Sequence, residues 1–236
     1  MPVALITGAS RGIGAATARR FANAGFDLRL IARSSEQLDS LAAELRQGGI
    51  AVETCQLDLG DSAAIAPAIT NLCARGPVPE VVINNAGAAW TGPLAEMPLE
   101  RWQWLLQLNL TSVFQVCQAV LPALRQAGGG LIINVSSHAA HNAFSDWGAY
   151  CTSKAALARF SRCLAAEDRE HGIRVSTLTL GSVNTPLWDS ETVASCFDRR
   201  AMLAPEQVAE SLLFLARQPR SQTVEDLTLM PAAGAF

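Results

Sequence analysis

The chain of 236 residues is half hydrophobic, only 17% charged, and carries a formal net charge of -3. That balance excludes a basic nucleic-acid surface and a charged disordered arm. Polar residues break the apolar stretches before the about 18 positions a membrane helix needs, so a soluble protein with no membrane partner is expected. The opening "MPVALITGAS" enters an apolar run at once, which leaves no room for a secretory leader. Six cysteines (Cys55, Cys73, Cys117, Cys151, Cys163, Cys196) show no C-x-x-C spacing and read as free thiols of a reducing cytoplasm. With three histidines in the chain, no metal site is expected.

From the N-terminus, short β-branched or aliphatic runs alternate with longer helical patterns. Strands are expected at 3–7, 27–32, 51–57, 80–84, 131–136, 174–180 and 225–230, with helices near 12–24, 35–47, 61–74, 99–126, 149–171 and 205–217. The alternation predicts an α/β fold, a doubly wound and mostly parallel seven-stranded sheet with helices on both faces. No linker or composition shift divides it, so residues 1–236 form one domain in this reading. Residues 186–204, a long mixed insertion before the last helix, are expected to form a lid over the site.

Directly after the first strand comes "TGASRGIG", with glycines at 8, 12 and 14 and then a helix. Glycine permits a tight turn and lets the backbone approach a pyrophosphate, whose charge suits the amides and dipole of a helix start. Gly8, Ser10, Arg11, Gly12, Ile13 and Gly14 are therefore candidate cofactor contacts. At the end of the second strand, where an acid would hold a ribose 2′-hydroxyl, stand Ala32 and Arg33. Arg33 and Arg11 together suit a 2′-phosphate, which favours NADP over NAD. The plainer alternative is that Arg33 solvates a helix start.

Further along, "GAYCTSKAA" sets Tyr150, the only tyrosine, four residues before Lys154. On a helix the two share one face. The pair alone also fits a half-buried tyrosine beside a snorkelling lysine.

Taken together, "TGASRGIG", "NNAG" (84–87), Asn109 in "QLNLTSVF", "INVSS" ending at Ser137 and "YCTSK" resemble the motifs of the short-chain dehydrogenase/reductase family, in its order and over nearly the whole chain. The resemblance implies hydride transfer between NADP(H) and a carbonyl or secondary alcohol. It implies Tyr150 as proton donor or acceptor, and Lys154 as the residue that lowers its pKa and binds the nicotinamide ribose. Ser137 would polarise the substrate carbonyl, and Asn109 would hold a water in a proton relay. Asp58 and Leu59 are placed at the adenine, Asn85, Ala86 and Gly87 beside the adenosine ribose, and Val183 and Thr185 at the nicotinamide. Asp58 could instead cap the following helix.

The chain departs from the family where Leu180 stands in place of a proline before Gly181, and in a tail that lacks an Asp-Gly-Gly ending. His138, His141, Phe144, Trp147 and Trp188 are candidates for the substrate pocket, or else pack a loop or subunit contact. Family members commonly pair through the helices expected at 99–126 and 149–171, whose apolar residues occupy more than one face, so a homodimer or homotetramer is expected. A non-catalytic NADP-sensing protein on the same fold is the alternative reading.

Overall fold

A computed structural model describes residues 1–194 and 197–234, so Cys196 and part of the expected lid lie outside the described residues. Seven strands, β1 (Val3–Thr7), β2 (Asp27–Ala32), β3 (Val52–Gln56), β4 (Val81–Asn84), β5 (Gly130–Ser137), β6 (Ile173–Leu180) and β7 (Asp226–Leu229), form one sheet. Their order is β3-β2-β1-β4-β5-β6-β7 and every pairing is parallel. Chain order reverses between β1 and β4, which opens a crevice at their carboxyl ends.

Strand residues alternate between two apolar layers because successive side chains point to opposite faces. Ala4 and Ile6 join the layer under α1 (Gly12–Ala22), α2 (Ser35–Arg46) and α7 (Pro205–Ala216), with Phe21, Leu38 and Leu212 among its buried members. Leu5 joins the opposite layer, beneath α3 (Ser62–Ala74), α5 (Ser112–Gln126) and α6 (Gly148–Asp168), with Ile69, Val116 and Leu157. Both faces are thus covered, and near-continuous apolar strands follow. The edge strand β7 differs, with alternating exposed and half-buried residues.

The helix expected over 99–126 contains a break. It consists of α4 (Leu99–Leu106), a π-turn at Gln107–Thr111 and then α5. By length and composition alone, Leu99–Gln126 could cross a membrane, with a mean hydropathy of 1.2. Its face at Val113, Val116, Val120 and Leu124 is instead consumed by the core. Leu180 ends β6 in register with Ser137 and Leu229, at a position where proline could donate no ladder hydrogen bond. Cys55, Cys73, Cys117, Cys151 and Cys163 are free thiols.

Candidate active site

A cavity of about 1020 Å³ runs along the carboxyl ends of the strands, from the turn after β1 to the insertion after β6. Its first end is built by close backbone approach. Gly8 has φ +66°, and a Cβ there would stand 2.9 Å from Ala86 Cα. Thr7 Oγ1 accepts from the N–H groups of Asn85 (3.0 Å) and Ala86 (3.1 Å), while Asn85 Nδ2 donates to Thr7 O at 2.9 Å. This latch fixes the 85–87 wall against the glycine turn. Thr7 was not singled out from sequence, although a hydroxyl closing an apolar strand was a visible sign.

Gly8, Ser10, Arg11, Gly12, Ile13, Arg33, Leu59, Asn85, Ala86 and Gly87 all border the cavity. Gly14 does not: a Cβ there would lie 2.1 Å from Gly8 O, so its smallness serves the packing of α1 onto the turn. Asp58 is likewise off the wall. It is exposed, and its Oδ1 accepts from Gly60 N at 2.8 Å, tightening the loop that presents Leu57 and Leu59. The cap of α3 is Asp61, which accepts from Ala63 N, so Asp58 is not that cap either. Ser34 caps α2. Arg11 and Arg33 are exposed on the cavity rim, and among the described residues neither guanidinium has a partner. Two unpaired cations beside a glycine turn at a helix start suit a phosphorylated ligand.

At the other end, Tyr150 and Lys154 project from one face of α6 towards β5, where Ser137 terminates the strand. Lys154 is buried, donates from Nζ to Val135 O at 3.0 Å, and lies 5.8 Å from the centre of the Tyr150 ring. Burial pushes its ammonium down to about 8. Burial also raises the Tyr150 phenol, and a side-chain hydrogen bond with Ser137 acts in the opposite direction. The expected lowering by Lys154 is therefore not seen. The amine points at a main-chain carbonyl, and desolvation disfavours charge on both partners.

Asn109 is fully buried in the π-turn, a helical irregularity often found at functional sites. Its Oδ1 accepts from Ala88 N at 2.9 Å, and Nδ2 donates to Ala88 O (2.9 Å) and Ser153 Oγ (3.0 Å). Both amide hydrogens are thus used, which leaves one Oδ1 lone pair and the main chain to meet a water. Ser153 Oγ in turn donates to Tyr150 O at 2.8 Å, linking the π-turn to α6. Ser153 is a second residue that sequence reasoning passed over, though it lies inside "YCTSK".

Val183 and Thr185 both border the cavity. Thr185 Oγ1 accepts from Leu187 N, and Val183 O accepts from Trp188 Nε1 at 2.8 Å. The insertion is tied at its base by Leu203 N to Ser182 O (3.0 Å) and along its length by Thr192 Oγ1 to Ala89 O (2.8 Å). His138, Phe144, Trp147 and Trp188 reach the cavity, whereas His141 is exposed and lies off its wall.

The model of the short chain dehydrogenase family matches residues 2–194. A D-threitol dehydrogenase of Mycolicibacterium smegmatis is 34% identical over 221 residues, covering 91% of this chain and 85% of the relative. A metagenomic short-chain oxidoreductase solved in complex with NADP is 34% identical, with a TM-score of 0.86 over 98% of this chain and 97% of the other. An alcohol dehydrogenase of the archaeon Thermococcus sibiricus, complexed with 5-hydroxy-NADP, is 30% identical, with a TM-score of 0.91 over 100% and 99% of the two chains.

Proposed function

The chain belongs to the short-chain dehydrogenase/reductase family of oxidoreductases, and we propose that it transfers hydride between NADP(H) and a carbonyl or secondary alcohol, with Tyr150 as the general acid and base. The observation that carries this reading is one cavity with unpaired Arg11 and Arg33 at its first end and Ser137, Tyr150 and Lys154 at its second. The glycine turn and the start of α1 offer amides to a diphosphate, while the two guanidiniums suit a 2′-phosphate that NAD lacks. The relatives crystallised with NADP or its derivative lend support.

When bound, the nicotinamide supplies the hydride. Tyr150 Oη protonates the developing alkoxide during reduction and takes the proton back during oxidation. Ser137 Oγ donates a hydrogen bond to the same oxygen and holds it within reach of the phenol. Lys154, charged below its pKa of about 8, favours the phenolate as the proton leaves and offers donors to the ribose hydroxyls. Asn109 and Ser153 keep the 88–89 loop and α6 in register, so that this geometry is set before ligand arrives.

Residues 186–204 form a substrate lid in this reading, and the exposed Phe114 of α5, edge-on to Phe160 of α6, belongs to a face used for self-association. The test is a spectrophotometric screen of NADPH and NADH oxidation against a carbonyl panel. Loss of NADPH absorbance with at least one substrate supports the proposal, and tight NADPH binding without turnover on any carbonyl or alcohol overturns it.

A further inference from the structure

The substrate end of the cavity has a chemistry of its own. Trp147 meets the Tyr150 ring edge-to-face at 5.6 Å, Trp188 meets Trp147 at 5.7 Å, and Phe197 continues the row at 5.6 Å from Trp188. All four rings border the cavity, so the aromatic row starts at the proposed proton donor and runs into the insertion, to which Trp188 and Phe197 belong. The Trp188 N–H is used by Val183 O, which leaves that ring's apolar body to face a ligand.

Charge is distributed just as unevenly. Among the described residues, the arginines that border the cavity are Arg11, Arg33 and Arg101. Arg11 and Arg33 stand at the glycine-turn end. Arg101 precedes Trp104 by one helical turn, and Trp104 Nε1 lies 3.8 Å from where a Gly60 Cβ would be, so Arg101 also belongs to the end near Leu59. Beside the aromatic row stand the buried Lys154, 5.8 Å from the Tyr150 ring centre with its Nζ given to Val135 O, and two acids, Asp189, already paired with Arg199, and the exposed Glu191.

Resting on the hydride-transfer reading above, we infer that the substrate is an uncharged, ring-bearing carbonyl or secondary alcohol rather than an anionic one or a small polyol. A flat apolar ring gains edge and face contact along the indoles, whose quadrupoles favour such pairing. A carboxylate or sulfonate seated along the indoles would lose its hydration against apolar faces, outward of the buried Lys154. A small polyol would gain little from the rings, and the nearby Ser190 and Thr192 hydroxyls already donate to Leu187 O and Ala89 O. The fit to a quaternary ammonium is poorer, because Asp189 is neutralised by Arg199 and Glu191 is open to solvent.

The test compares kcat/KM under saturating NADPH for acetophenone, cyclohexanone, a 2-oxo acid, betaine aldehyde and erythrulose, and under saturating NADP+ for oxidation of D-threitol. The ring ketones should exceed the anionic and polyol substrates by about 100-fold, and Trp188→Ala should raise KM for acetophenone about 10-fold more than it does for erythrulose. Trp188→Phe should restore most of that ratio. Trp147→Leu, which spares the bond to Val183, provides a second reading, with NADPH affinity as the check of folding. Preference for the oxo acid, the polyol or the ammonium aldehyde, or an equal effect of both tryptophan variants on every substrate, overturns the inference. Absence of turnover on the whole panel with NADPH bound removes the hydride-transfer reading beneath it as well.

Discussion

The two ends of the cavity hold their ionisable groups in contrasting surroundings. At the glycine turn, the Arg11 and Arg33 guanidiniums are exposed and, among the described residues, unpaired, which suits an anion. At the second end, burial pushes Lys154 down to about 8 and raises Tyr150, so desolvation disfavours charge on both side chains. The first arrangement selects by charge and is sensitive to salt. In the proposed reaction the second acts when charge develops on the substrate oxygen.

The largest effect should come from breaking the second end. Tyr150→Phe keeps the ring and its packing against Trp147 while removing the proton, so turnover should fall by roughly 10² to 10⁴ with NADPH affinity nearly unchanged. Steady-state kinetics beside cofactor titration measures both, and a folded variant with near-wild-type turnover would refute the assignment. At the first end, Arg33→Asp should weaken NADPH binding by about 10- to 100-fold and narrow or invert the preference over NADH. Cofactor Kd values at fixed ionic strength report this, and equal affinity of the wild type for both cofactors would remove the 2′-phosphate role.

Lys154 allows the buried end to be read without substrate. Its folded pKa of about 8 lies below the roughly 10.4 of an unfolded lysine, so between those values the unfolded chain binds the extra proton. Stability of the ligand-free wild type relative to Lys154→Met should therefore rise as pH increases from about 8 to about 10. Urea unfolding of both proteins across that range checks the sign, and a flat difference would mean that the amine is solvated. The smallest effect is expected at Asp58. Asp58→Asn retains an acceptor for Gly60 N and lies off the cavity wall, so NADPH affinity should stay within about 2-fold. A large loss would return Asp58 to the adenine site, where the family resemblance puts it.

Strand and helix positions, the parallel sheet and the clustering of most candidate residues were legible in the chain, because apolar periodicity and turn glycines are local properties. Gly14 and Asp58 read as ligand contacts because spacing marks a motif without distinguishing residues that touch the ligand from those that support its neighbours. Thr7 and Ser153 escaped notice because each acts through a residue distant in sequence or through a backbone atom: Thr7 reaches 78 positions ahead to Asn85.

What the sequence determined by itself is the alternation that makes a doubly wound sheet and the family to which its motifs point. The folded chain alone decided that Asn109 spends its amide hydrogens on Ala88 and Ser153, that Lys154 addresses Val135 O, and that the tryptophans at 147 and 188 stand in one row with Tyr150. These are questions of distance and desolvation between segments far apart along the chain. Periodicity carries the face on which a side chain leaves its element, but the partner it meets there depends on how the elements pack.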